Sequence, residues 1–439
     1  MGCRIEWVNH AAYLLRAGDF ELLTDPWLYG PVFQEGWDLV SETRHGLEAL
    51  RAVKHVWLSH EHPDHFNPHF FKGYSSAEKQ GATVYFQESK DKRLVTFLRG
   101  IGFNVVELPD GKPLRVSSGV ELCCRKNGTE DSWLGVKVGT HTIINLNDCI
   151  FPDPRIFDEI KQHYPVIDVL LTQFGYAEKV GNVENSALRA AESRKWRDML
   201  VEQTRGLDAK FVIPFASYKF FSHAENFYMN DGASTPSHVA ATLAAAGLHD
   251  RCVVLYPGET WELGDSHDSD ASIRKYEDDW AGIRIRHTLA RTYHADELRV
   301  AADGFLSKLR RVVSPPLLRL LQVSPLKFGL RPLVLRVTDL DAVFVLDARR
   351  GLLPATRQTR APDVSLASES LFNMFRFPYG ANTLYVNGRF QSHSTQGLHT
   401  LFVWGHLGLM MGANLKLDSA YLLNNFTRIA AFYFRRLQA

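Results

Sequence analysis

Cysteine is scarce in this sequence: five residues in 439, namely Cys3, Cys123, Cys124, Cys149 and Cys252. The number is odd and no Cys-x-x-Cys pair occurs, which argues against a disulfide framework and makes a reducing cytosol the expected compartment. Surplus charge is missing too. Lys and Arg total 50 against 49 Asp and Glu, a formal net charge of +1, so electrostatics gives no reason to expect nucleic acid as a partner. No apolar run is long enough to span a bilayer, and none at the N-terminus resembles a signal peptide. Met1-Gly2 opens like a myristoylation site, but Glu6 stands where Ser or Thr is wanted. Neither an internal repeat nor a low-complexity tract occurs. What remains is 45% hydrophobic and 23% charged residues, the balance of a globular protein, in a chain long enough for two domains.

One stretch stands out: Leu58-Ser59-His60-Glu61-His62-Pro63-Asp64-His65-Phe66. It holds the metal-ligand types His-x-His-x-Asp-His. Imidazole with carboxylate suits Zn, Fe and Mn better than Ca or Mg. Val56, Trp57 and Leu58 are apolar, so a strand is expected to end where this loop begins. A loop at a strand end lets closely spaced side chains converge: His60 and His62 on one metal, Asp64 and His65 on a second.

The flanking segments read as alternating strands and helices. Arg4–Val8, Ala12–Arg16 and Phe20–Thr24 fit strands, with Ala17-Gly18-Asp19 as a turn and Asp25-Pro26-Trp27 closing the third. His10 falls in the first strand–strand turn. Thr83–Gln87 fits a strand, and Ser89 is placed to cap a helix whose apolar face is Leu94, Phe97, Leu98 and Ile101. Thr142–Leu146, Ile167–Thr172, Phe211–Pro214 and Cys252–Tyr256 fit further strands, and Ala187–Gln203 and Pro236–Ala246 fit helices. Sheets covered by outer helices, an α/β sandwich, are the expected result.

The His-x-His-x-Asp-His loop resembles the signature of the metallo-β-lactamase superfamily. The resemblance implies an αββα sandwich over residues 1–265 and assigns roles to residues outside the loop. Asp148, at a strand end, matches the carboxylate that bridges both metals. Asp25 matches an Asp that supports the ligands from behind, although a plain turn Asp before Pro explains it equally well, and His10 is the weaker supporting candidate. His223, after a late strand, matches the last ligand of the second metal, with His238 as its competitor. Gln173 and Tyr176, in a strand-end loop, are pocket candidates. The Gly-His turn that usually supplies an upstream ligand is absent here. Asp131 and Glu130 occupy the expected place, with Asp131 preferred because Asp131-Ser132-Trp133-Leu134 looks like a carboxylate variant. Exchanging an imidazole for a carboxylate adds negative charge and oxygen ligation, which favours iron or manganese over zinc.

Trp27-Leu28-Tyr29-Gly30-Pro31, Asn145-Leu146-Asn147-Asp148-Cys149 and Phe215-Ala216-Ser217 with His223-Ala224-Glu225-Asn226 resemble the branch containing CMP-N-acetylneuraminate hydroxylase. The sequence is similar, too, to nonheme diiron monooxygenases of platensimycin and platencin biosynthesis, which hydroxylate a diterpenoid acyl-CoA. That resemblance implies two iron ions, O2 and an apolar or acyl-CoA substrate. The Cys/His spacing of a Rieske cluster is absent, so an external electron donor of ferredoxin/reductase type is implied. A dinuclear zinc hydrolase of an ester, thioester or lactone is the alternative, with an acyl- or lipid-binding protein holding a structural metal as the third reading.

Residues 266–332 are expected to be a helical connection, punctuated by Ser314-Pro315-Pro316, and 333–439 a smaller α+β domain. Leu333–Val337, Ala342–Leu346, Val364–Ala367 and Asn382–Val386 fit strands, with a helix from Ser368 to Phe375. This order resembles the sterol-carrier-protein-2-like fold, which shelters apolar groups. A domain that covers the metal domain or builds a homo-oligomer fits the pattern equally well.

Overall fold

The computed structural model describes residues 2–128, 131–149, 151, 155–323, 329–412 and 416–417. The chain forms two compact units. The first comprises Met1–Val180, Asn185–Ser222 and Phe227–Ile285; the second comprises Gly181–Glu184, His223–Asn226 and Arg286–Ala439.

The first unit is built on two sheets. One has seven strands in the spatial order Thr260–Glu262, Arg4–Asn9, Ala12–Ala17, Phe20–Thr24, His55–Leu58, Thr83–Gln87 and Asn104–Leu108. The other has six, in the order Phe211–Phe215, Val169–Gln173, His141–Asn147, Asp131–Val138, Val120–Asn127 and Leu114–Ser117. Strand alternation divides the first sheet between two cores. Ile5, Trp7, Tyr13, Leu15, Leu22 and Trp57 join Leu134, Val136, Ile144 and Leu170 of the second sheet in one buried cluster. Leu14, Leu23, Val56, Leu58, Val84 and Phe86 face the other way, onto Leu50, Phe70, Phe71, Leu94 and Leu98 of outer helices. Ile160, Leu200, Leu207, Val239 and Leu243 bring the opposite helices into the first cluster. The result is the layer order helix, sheet, sheet, helix.

The parallel strands position the site. Phe20–Thr24, His55–Leu58 and Thr83–Gln87 run parallel in the first sheet, and His141–Asn147, Val169–Gln173 and Phe211–Phe215 in the second. Asp25, the Ser59–His65 loop, Asp148 and Ala216 therefore all follow carboxyl ends of strands. Four residues at these ends, His10, Asp25, Asn147 and Ala216, adopt left-handed backbone (φ 44°, 32°, 54° and 47°), a conformation that side chains with a Cβ resist. The metal loop ends where Asn67 caps the helix Pro68–Lys72, its side chain accepting the His69 N–H.

The second unit carries a five-stranded mixed sheet in the order Gly351–Pro354, Ala342–Asp347, Leu333–Val337, Val364–Leu366 and Gln391–Ser392. Leu333, Leu335, Val337, Phe344, Leu346 and Val364 pack against Leu298, Phe305, Leu306 and Leu309 of the helix Ala295–Val312 and against Trp404 and Leu407 of the helix Thr395–Gly412.

Three local expectations change. The Asn382–Val386 segment is not a strand but the middle of a helix, Gly380–Asn387. It lies against Gly405, where even a Cβ would sit 3.3 Å from the Asn382 nitrogen; this close helix–helix packing overrides the β-branched local preference. Ser89 does not cap its helix: its Oγ donates to Asp91 O at 2.5 Å, and the helix runs Arg93–Gly100. Cys252–Tyr256 is extended but makes only a single bridge, Cys252 to Val212. Among the described residues no helix is long and apolar enough to cross a membrane.

Candidate metal centre

The centre starts from Asp25, which is fully buried. Its Oδ1 accepts the Ser59 N–H at 2.8 Å, and its Oδ2 accepts the Ser59 hydroxyl at 2.7 Å and the Asn147 amide at 3.1 Å. The same Oδ2 lies 3.1 Å from His65 Nδ1. One carboxylate thus ties the first turn of the metal loop to the strand end before Asp148. The loop is held from the other side as well, since Ser59 O accepts from Ser132 Oγ at 2.6 Å and from Gln87 Nε2 at 3.2 Å.

With the loop fixed, its side chains converge. His65 Nε2 is 3.2 Å from Asp148 Oδ2 and 3.3 Å from Asp64 Oδ2. His60 Nε2 is 3.0 Å from His62 Nδ1 and 3.9 Å from both Asp148 Oδ2 and Asp131 Oδ1. His10 Nε2 is 3.5 Å from Asp64 Oδ2. Two groups of ligand atoms lie within 4.8 Å of one another: His60, His65 and Asp148, and His10, Asp64 and His65. They share His65.

The electrostatics of this cluster favour a cation. Burial opposes a charge on His65, yet Asp64, Asp148 and Asp25 together raise its pKa well above the ordinary imidazole range. His60 goes the other way: burial, then His65 and His62, holds it neutral and able to ligate. Asp64 Oδ1 and Asp148 Oδ1 are buried without a hydrogen-bond partner. Buried carboxylate oxygens are normally paired, so unpaired ones aimed into a nest of imidazoles suit metal ligation. The donor set therefore fits a bound metal ion.

The remaining sequence candidates divide. Gln173 is buried and donates to Asp148 O at 2.8 Å, which fixes the turn that presents the carboxylate. Tyr176 is buried, donates its hydroxyl to Met229 O and stacks on Phe221. Glu130 lies outside the described residues. His223 is built into the second unit, where its Nδ1 accepts the Glu225 N–H at 3.1 Å and Glu225 pairs with Arg389 at 2.8 Å. Neither metal-capable group among the described residues includes it. His238 sits in the first turn of the helix Pro236–Ala245, at its capping box.

Sequence reasoning missed Lys219. It is buried, and its ammonium lies 3.8 Å from the ring centre of Phe221, 4.2 Å from Trp37 and 5.6 Å from Tyr176. Burial lowers its pKa to about 7, while Asp64 and Asp148 pull it up. The signal was a single Lys inside the aromatic run Tyr218-Lys219-Phe220-Phe221. Ser59, Ser132 and Asn147 were passed over because small polar residues near strand ends look like ordinary turn residues.

Residues 4–134 match the family described as the beta-lactamase superfamily domain. The first unit has the metallo-β-lactamase fold. The chain is similar to cytidine monophosphate-N-acetylneuraminic acid hydroxylase of Danio rerio, 22% identical over 284 residues, or 59% of this chain and 46% of that protein. The chain spans about half the length of the curated relatives it matches, with 41% of the Mus musculus hydroxylase covered. Solved structures similar to this chain include isothiocyanate hydrolase from Delia radicum gut bacteria, with TM-score 0.46 and 16% identity, covering 60% of this chain and 100% of that one. Another is CmlA, a diiron β-hydroxylase from Streptomyces venezuelae, with TM-score 0.41 and 16% identity, covering 60% of this chain and 54% of that one.

Proposed function

We propose that the metallo-β-lactamase unit is the catalytic part of an O2-dependent nonheme diiron hydroxylase. The observation that carries this reading is the carboxylate content of the cluster: Asp148 lies 3.9 Å from His60 and 3.2 Å from His65, and Asp131 lies 3.9 Å from His60. The similarity to cytidine monophosphate-N-acetylneuraminic acid hydroxylases supports the same class. His60, His62, Asp131 and Asp148 would hold one iron; Asp64, His65 and Asp148 the other. Bound iron would supply O2 activation and attack on a C–H bond. Asp25 and Gln173 orient the ligands, and Lys219 brings a proton-bearing group into the same field. An external ferredoxin-type donor would provide electrons. The substrate in this reading is an apolar group, of which a diterpenoid acyl-CoA is the specific candidate, because the sequence of the second unit resembles the sterol-carrier-protein-2-like fold.

Metal analysis of aerobically purified protein, alongside O2 uptake with a reductase system, tests the reading. Two irons per chain with substrate-dependent O2 uptake is the expected result. Two zinc ions with ester or thioester hydrolysis would replace it with the hydrolase reading. Metal retained without turnover, together with tight binding of apolar ligands, would leave a carrier.

A further inference from the structure

We propose that His10 is a direct ligand of the second metal position, completing the set of Asp64, His65 and Asp148 with an imidazole. This rests on the dinuclear reading above and goes beyond it, since His10 there has at most a supporting place.

Four observations carry the assignment. First, the spacing fits. His10 Nε2 and His65 Nε2 stand 3.5 and 3.3 Å from the same oxygen, Asp64 Oδ2. Ligand atoms about 2.1 Å from a common cation are separated by about 3.0–3.4 Å along the edge of an octahedron or tetrahedron.

Second, the imidazole is otherwise unemployed. It is 1% exposed; Nδ1 has no hydrogen-bond partner, and Nε2 faces only the Asp64 carboxylate, at 3.5 Å. Its ring packs edge-on against Trp27, 5.1 Å between centroids, and against His65 at 5.8 Å. A histidine placed for packing alone would leave both nitrogens desolvated with no return, where an apolar residue would serve better.

Third, the backbone is forced to deliver it. His10 is left-handed, at φ 44°, and is pinned on both sides: its N–H donates to Asn9 Oδ1 at 2.9 Å, and its carbonyl accepts the Ala216 N–H at 3.0 Å. Asn9 is itself anchored, donating to Ser41 O at 2.9 Å. Glycine would relieve this turn, so the side chain is kept against a conformational cost.

Fourth, the neighbouring strand end offers no competing donor. Phe215 and Ala216 have no ligand atom, and Ser217 Oγ is occupied by the N–H groups of Phe174 and Gly175, both at 3.1 Å. The imidazole on this side comes from the turn that Ala216 is bonded to.

The experiment uses the full-length protein, stripped with chelator and titrated with Co²⁺, reading metal per chain and the visible ligand-field spectrum. Three variants separate the roles. His10→Gly removes the imidazole and suits the left-handed backbone, so it should fold and bind one Co²⁺ in place of two, with the second restored by added free imidazole. His10→Gln keeps an N–H for Asp64 but no good ligand, and should lose the second ion as well. His223→Ala should keep two. Two ions with an unchanged spectrum in His10→Gln would overturn the proposal in favour of a positioning role. Two ions in His10→Gly with loss in His223→Ala would overturn it in favour of His223. If the unmodified protein itself never binds more than one Co²⁺, the dinuclear reading fails first and the proposal falls with it.

Discussion

Asp148 carries the most consequence of any single residue, because its Oδ2 faces both His60 and His65. Asp148→Ala should weaken both metals together, by more than about 100-fold, since loss of a supporting residue alone costs about 10–100-fold. Metal titration of the variant checks this, and two metals held at unchanged affinity would reject a bridging role. If the centre is the proposed diiron hydroxylase, Asp131→His should move the preference from iron toward zinc and abolish O2-dependent turnover, with Glu130→Gln milder. Iron and zinc per chain in each variant decide between them, and full iron in Asp131→His with loss in Glu130→Gln would make Glu130 the ligand. Lys219 gives a pH signature in the metal-free protein. Its folded pKa is lowered to about 7 by burial, so between pH 7 and the ordinary lysine value the unfolded chain holds a proton that the folded chain does not. Stability should therefore rise with pH across that window, at up to about 1.4 kcal/mol per unit, and be lost again as pH falls toward 7. Denaturant unfolding of Lys219→Met should lack this rise. The metal loop was legible from residue types alone because its donors are adjacent in sequence. Lys219 was not, because its burial depends on Trp37 and Phe221 meeting across the short pairing of Trp37–Leu39 with Lys219–Phe221.

At the scale of elements, alternation and turn residues point to many of the first unit's strands but not to Asn104–Leu108, Leu114–Ser117, Val120–Asn127, Asp131–Val138 or Thr260–Glu262, and Asp25, the metal loop and Asp148 follow carboxyl ends of the strands that are legible. The reading failed where packing outweighs local preference. Asn382–Val386 has strand-like residues but is helical because glycines on the facing helix admit it closely. The same kind of contact supports a prediction in the first unit. Gly232 packs on the helix Ser186–Leu207, and a Cβ there would lie 2.8 Å from the Arg189 carbonyl carbon and 2.5 Å from its Cβ. Backbone on that side cannot yield without disturbing the buried Arg189 guanidinium, which pairs with Asp231 at 2.5 and 2.7 Å. Gly232→Ala should cost about 1–3 kcal/mol in chemical denaturation. A loss below a few tenths would mean that the helix and the Phe227–Gly232 turn move apart freely.

For the whole molecule, composition and length suggest two domains, and the chain forms two compact units whose membership local pattern does not show. Short segments at Gly181–Glu184 and His223–Asn226 belong to the second unit although most of the surrounding chain belongs to the first. Local pattern carries no signal for such an excursion, and His223 was read as part of the metal domain for that reason. Metal should stabilise the molecule by linkage. At a free concentration 100 times the dissociation constant the gain is about 2.7 kcal/mol per site, so chelation should lower the melting temperature measured by calorimetry. An unchanged melting temperature after complete removal would argue against a site shared between the two sheets. The uneven distribution of donors has a kinetic side. Asp25 reaches the metal loop only after the strands before each have paired in parallel, and Asp131 and Asp148, on the other sheet, only after the two sheets have formed and packed, a slow class of event. The four donors from His60 to His65, by contrast, are already neighbours in the unfolded chain. A cation present during refolding can be captured early by this short segment in non-native geometry. Refolding into metal-containing buffer should then be slower than refolding first and loading afterwards, which makes the time of metal delivery, as well as its identity, a determinant of the yield of active protein.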